Sequence, residues 1–179
     1  MDRVRRLVVA LVVLVVAGLV VLVVAVRPTL RTDSESVDRT WQPLVAQLSA
    51  RYRSLVGVHD NMVAAGLGQR SVTLSLGRTL DHWKIVSTGT DAEDQVATAN
   101  RLEGLAARAD ALAHTPRLLK NVALLAAFDG FVKARPTAKL LTTYNNHAER
   151  YQGARTGFWD RIVARLDGYP MRPTLQLLA

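Results

Sequence analysis

The sequence predicts an all-α protein: an N-terminal transmembrane helix followed by an antiparallel bundle of about four long helices, the last kinked near Pro136. Three observations lead there. Residues 7–26 form an unbroken apolar run. Beyond it, apolar residues recur at steps of three and four, the spacing of one helix face. No segment shows the period-two alternation of a half-buried strand.

The run LVVALVVLVVAGLVVLVVAV carries no charge, hydroxyl or amide. Twenty residues at 1.5 Å each give roughly 30 Å of helix, the thickness of a hydrocarbon core. About fifteen Val and Leu residues, each favouring insertion by a few tenths of a kcal/mol, together contribute several kcal/mol. A cleaved signal peptide has a shorter apolar core and a small-x-small cleavage site; here the run ends in Val24-Ala25-Val26-Arg27-Pro28. Arg3, Arg5 and Arg6 crowd its N-terminal end, against Arg27, Arg31 and Arg39 beyond it. The flanks therefore favour a cytoplasmic N-terminus and a body outside the cell (plasma or inner) membrane.

The organisation expected is a basic flank (1–6), the span (7–26), a short stalk (27–37), a helical body (38–169) and a C-terminal tail (170–179). Pro28 and the polar run TDSES mark the stalk, and Pro43 places the start of regular helix near Gln42. The first body helix reaches about Ala65 on the stripe Trp41, Val45, Leu48, Tyr52, Leu55, His59 and Met62. Gly66-Leu67-Gly68 turns the chain. A second helix covers about Ser71 to Ser87, with Val72, Leu76, Leu80, Trp83 and Val86 inward. Thr90 and Glu93 form a capping box for the third, which runs to about His114 on Val96, Ala99, Leu102, Ala106, Ala109 and Leu112. Pro116 sits at a first helical position, and residues 118–132 read as the most buried stretch because they are apolar on more than one side. The last helix, 137–167, uses Leu141, Tyr144, Ala148, Tyr151, Phe158, Ile162 and Leu166, and Gly168 and Pro170 stop it.

The charge is uneven. Overall the chain carries 23 basic and 15 acidic residues. Residues 117–179 hold ten basic and four acidic side chains. A basic half beside a membrane suits contact with anionic lipid or envelope polymers. The absence of cysteine excludes disulfides, zinc–thiolate sites, iron–sulfur clusters and cysteine nucleophiles. No glutamate is followed by histidine three residues on, so the di-metal pattern of helical bundles is missing. His59-Asp60 and Asp81-His82 point about 100° apart on a helix and are not expected to form dyads. Arg155 occupies a stripe position, where it either snorkels to solvent or meets an acidic partner. No catalytic residue, cofactor or metal ligand is expected.

Tyr144-Asn145, Tyr151-Gln152 seven residues on, Phe158, and the run Ala164-Arg165-Leu166-Asp167-Gly168-Tyr169 resemble the C-terminal part of the LemA family. Trp41, Gln47-Leu48 and Arg51-Tyr52 resemble its first helix, and Pro116-x-Leu118 a step before its last. Departures mark a divergent member: Gln152 stands for the second asparagine, Trp159 for the proline after the phenylalanine, and Leu55-Val56-Gly57-Val58-His59 for a Leu-Ile-Pro-Asn-Leu-like run. The resemblance implies a membrane-tethered helical bundle and carries over no catalytic residue. From the residues themselves, Tyr144 and Tyr151 lie two turns apart on one face and pack their rings, while Asn145 and Gln152 can bond across to another helix. The expectation is a non-enzymatic envelope protein that binds other envelope or membrane proteins or itself, with no nucleic-acid partner. An extracytoplasmic module sensing a small ligand is the alternative.

Overall fold

The computed structural model describes the backbone of residues 2–177, and the side chains of all of these except 2–12, 15–16, 19–26 and 158–159. The regular elements among the described residues are all helices, with no strand. The helices are α1 (Asp2–Met62), α2 (Ser71–Val86), α3 (Ala92–Ala113), α4 (Val122–Lys133), α5 (Ala138–Ala154) and α6 (Phe158–Leu166). Among the described residues no helix is long and apolar enough to cross a membrane. Most side chains of the expected anchor lie outside the described residues.

Side-chain pairings set the topology. Along α1, Arg51, Gln47, Trp41 and Arg27 meet Phe131, Thr137, Tyr144 and Asp167 in turn, so α4, α5 and α6 form one leg antiparallel to α1. Tyr52 meets Ala99 and Trp41 meets Gln95, so α3 runs parallel to α1. Between them α2 runs back, packing Trp83 edge-on against Tyr52 at 5.0 Å. The body is an up-down-up-down bundle.

The expected stalk is helix. Leu30, Ser34 and Val37 are buried and extend the stripe of Trp41, Leu44 and Leu48 toward the N-terminus. Each proline inside α1 forfeits a backbone bond and costs about 3 kcal/mol. Burial of five large side chains at about 1.5–3 kcal/mol each outweighs that. Ser36 and Thr40 return their hydroxyls to carbonyls one turn back, and Arg31 pairs with Glu35, so the polar run is satisfied within the helix.

Other expectations change in detail. His59 leaves the stripe for the rim, where its Nδ1 lies 3.0 Å from Asp60 Oδ1; Leu44 and Val58 fill the core instead. The neighbours His59 and Asp60 do meet, at a partly exposed edge of the helix. Asp91, rather than Thr90, caps α3 by accepting from the amides of Glu93 and Asp94. Pro116 starts no helix: residues 114–121 are turns, and α4 begins after Asn121, whose side chain accepts from the Leu124 amide. Residues 118–132 are not the most buried stretch, since Val122 is 76% exposed. Only the face carrying Leu124, Phe128 and Phe131 turns inward.

The fourth leg is broken twice rather than kinked once. Pro136 has no amide to donate and disfavours helix in the residue before it, which ends α4. A second break at 155–157 follows Gly153 and includes Gly157. It shifts the register, so Val163 and Ala164 are buried while Leu166, placed on the expected stripe, is 77% exposed.

Candidate functional site

The tail is built into the body. Gly168 ends α6 at φ +70°, and the Tyr169 amide donates to the Ala164 carbonyl, a Schellman closure. From Pro170 the chain runs extended between α3 and α5. Tyr151 donates its hydroxyl to the Pro170 carbonyl at 2.8 Å, and Gln152 donates to Arg172 at 2.7 Å. Tyr144 donates to Pro173 at 2.7 Å. Asn145 both donates to the Leu175 carbonyl and accepts from its amide, at 3.0 and 2.8 Å. From the other wall Asn100 does the same to Thr174 and Gln176, and Glu93 accepts from the Met171 amide. The strap is antiparallel to α5 and parallel to α3.

The seven-residue spacing of the two Tyr-Asn/Gln pairs now has a physical meaning. Seven residues of helix advance about 10.5 Å. Three residues of extended chain advance about 9–10 Å. Tyr151 and Tyr144 therefore read carbonyls three apart, at Pro170 and Pro173, and Gln152 and Asn145 read those of Arg172 and Leu175. A heptad ruler on α5 matches a triplet repeat in the strap.

Two strap side chains point inward. Leu175 is 1% exposed, and Arg172, 6% exposed, reaches Asp38 on α1 at 2.8 Å. Arg155 meets no acid; it donates to the Pro170 carbonyl and lies 5.4 Å from the Tyr151 ring. Burial pushes the Tyr144 and Tyr151 hydroxyls above their ordinary range, chiefly by desolvation, so both remain donors. Where the strap begins, a cleft of about 770 Å³ opens beside Arg155, Arg161, Arg165, Tyr169 and Glu93.

The remaining residues of the resemblance brace these walls. Trp41 donates to the Gln95 side chain, whose amide in turn holds the carbonyls of Val86 and Gly89 in the α2–α3 turn. Gln47 accepts from the Thr137 amide at the start of α5. Leu48 is core. Arg51 forms a bidentate pair with Glu103 at 2.8 and 2.9 Å, donates to the Phe131 carbonyl near the end of α4, and stacks 3.8 Å over the Phe131 ring. The Tyr52 hydroxyl donates to Ala99; burial, then the nearby Glu103 charge, pushes it well above its ordinary range. The side chain of Phe158 lies outside the described residues.

Asn145 and Gln152, which could have bonded to a neighbouring helix, hold the strap instead, because the α3–α5 gap is filled by chain rather than closed. Asp38, Glu93, Gln95, Asn100 and Glu103 were not among the expected residues. Gln95 and Glu103, beside the α3 stripe residues Val96 and Leu102, were the available signal, as was the proline period of Pro170 and Pro173. Among the described residues no group of three or more His, Asp or Glu side chains is placed to hold a metal ion. No known family, curated protein or solved structure matches this chain.

Proposed function

We propose that this chain is a non-enzymatic single-pass membrane protein of the cell envelope, similar to the LemA family, whose helical bundle serves protein interaction or scaffolding. One observation carries the reading: the polar side chains of α3 and α5 converge on the main chain of a polypeptide segment. Groups so arranged bind chain rather than transform a small substrate.

The anchor rests on the apolar run 7–26 and its length. The unbroken backbone of α1, 61 residues long, joins that run to the body without a loop. The ion pair of Asp167 with Arg27 ties the end of α6 to the same junction. The N-terminus lies in the cytoplasm and the body outside. A reporter fused after Ala179 and active on only one side of the membrane tests this. Crosslinking in native membranes tests the interaction role, which recovery of monomer alone would refute.

A pocket of about 240 Å³ between α1 and α2 favours the second reading, a sensing module. Tyr52, Val56, Leu80 and Trp83 line it, and the buried Trp83 Nε1 has no hydrogen-bond partner among the described residues. Small apolar ligands bearing one acceptor would raise the melting temperature on this reading; a screen that finds none removes it.

A further inference from the structure

The α3–α5 groove holds its strap largely by main-chain atoms, with two side-chain anchors at Arg172 and Leu175, so its grip extends to any extended segment that keeps those two anchors. We propose that the groove is a receptor for an extended segment of another protein, of the form Pro-x-Arg-Pro-x-Leu preceded by acidic residues, and that the strap is its resident competitor. The proposal rests on the interaction reading above and names the partner's chemistry.

The groove itself defines the motif. Tyr151 and Tyr144 read carbonyls three residues apart, and both of these belong to prolines, which hold an extended chain at little entropic cost. Asp38 selects arginine at the third position, and the buried seat of Leu175 selects an aliphatic at the sixth. Asn145 and Asn100 each clamp a carbonyl and an amide, which any residue but proline supplies.

A foreign segment must outcompete a tethered one, whose effective concentration is on the order of millimolar. The cleft at the start of the strap supplies the means. Its arginines 155, 161 and 165 face only Glu93 among acidic lining residues, and the chain itself offers Gly168 and Tyr169 there. The buried Nε of Arg155 has no hydrogen-bond partner among the described residues. Carboxylates just ahead of the first proline would meet these guanidiniums, a gain the strap cannot match. Gly168, in a left-handed conformation, is the hinge on which the strap leaves.

The test uses the full chain carrying Arg172→Glu and Leu175→Asp, which removes both side-chain anchors of the strap and leaves every wall residue in place; fast exchange at the Gln176 amide verifies that the groove is empty. Two labelled peptides are titrated by fluorescence anisotropy: the chain's own Tyr169–Leu177 segment, and Glu-Glu-Pro-Met-Arg-Pro-Thr-Leu-Gln. Both bind the emptied variant, the acidic one about tenfold tighter, a charge-assisted bond being worth roughly that factor. Adding Asn145→Ala weakens both at least tenfold, and a scrambled peptide does not compete. Helical circular dichroism verifies folding. Should the emptied variant not fold, the wild-type chain is used: excess acidic peptide then speeds hydrogen exchange at the Leu175 and Gln176 amides. No binding to a folded emptied variant, equal binding of the scrambled peptide, or unchanged exchange in the wild type overturns the proposal. So does a wild-type dimer in which residue 145 of one copy crosslinks to residue 175 of another, which would make the groove a site of tail exchange. None of these results removes partners recovered from native membranes, so the broader reading falls only by its own test.

Discussion

Replacing Glu103 with alanine removes one half of a buried ion pair and leaves the other half stranded. Arg51 is 1% exposed and Glu103 3%, so neither is reached by water that could take over. Arg51 keeps its bond to the Phe131 carbonyl and its stack on that ring, but these satisfy only part of the guanidinium. Breaking a buried pair from one side costs about 3–5 kcal/mol, because a charge remains in a medium that solvates it poorly. Against a domain stability of roughly 5–15 kcal/mol that is about a fifth of the total or more. At about 2–4 °C per kcal/mol for a chain of this size, the melting temperature falls by roughly 6–20 °C. Thermal unfolding followed at 222 nm in detergent micelles measures it. The double variant Arg51→Met, Glu103→Leu removes both charges and recovers part of the loss. Recovery is incomplete, since the Phe131 carbonyl near the end of α4 loses its donor at about 1–3 kcal/mol. A loss below about 1 kcal/mol for Glu103→Ala would refute the reasoning, because a solvent-accessible pair is worth no more than that.

Three further outcomes follow from the same geometry. Asn145→Ala deletes both bonds to Leu175 and costs about 1–3 kcal/mol; limited proteolysis then cuts first within 170–177, leaving the helices intact. Gly168→Ala meets no atom within 4 Å, so its cost of about 1–2 kcal/mol is purely that of a left-handed backbone, read by denaturant unfolding. Tyr52, Tyr144 and Tyr151 have hydroxyls raised by burial, so their stabilisation is complete below pH about 10 and is lost as pH rises toward their folded values. Absorbance at 295 nm should show these three ionising only as the helices unfold. Early ionisation of Tyr144 would mean that its ring is not buried.

The sequence made the helical class legible because burial follows a repeated step, and the core positions of α1 and α3 emerged from that step directly. Leu48, Tyr52, Leu55 and Met62 are buried where the period places them. The helix ends were less legible. A proline at 28 or 43 reads as a boundary locally, yet the packed face of α1 outweighs the lost bonds. Conversely, the break at 155–157 follows Gly153 and includes Gly157, two glycines that periodicity alone passes over. The site was half visible. The Tyr144/Asn145 and Tyr151/Gln152 pairs stood out by spacing, but spacing on one helix cannot say whether the partner is a helix or a strap. That depends on Asn100 and Glu93 lying across the gap, a contact between residues far apart in the chain. Arg172 and Arg155 also counted toward a basic surface, whereas the fold buries Arg172 against Asp38 and half-buries Arg155 against the Pro170 carbonyl.

Residues 170–176 are held as part of the body. Native-state hydrogen exchange at the amides of Met171, Leu175 and Gln176 tests this most directly, since their acceptors are the side chains of Glu93, Asn145 and Asn100. A gripped strap predicts that the Leu175 and Gln176 amides exchange at least a hundredfold slower than in an unstructured peptide, an opening cost of roughly 2.7 kcal/mol or more. It further predicts that Asn145→Ala abolishes the protection at Leu175. Exchange at the unstructured rate in the wild-type chain would contradict it.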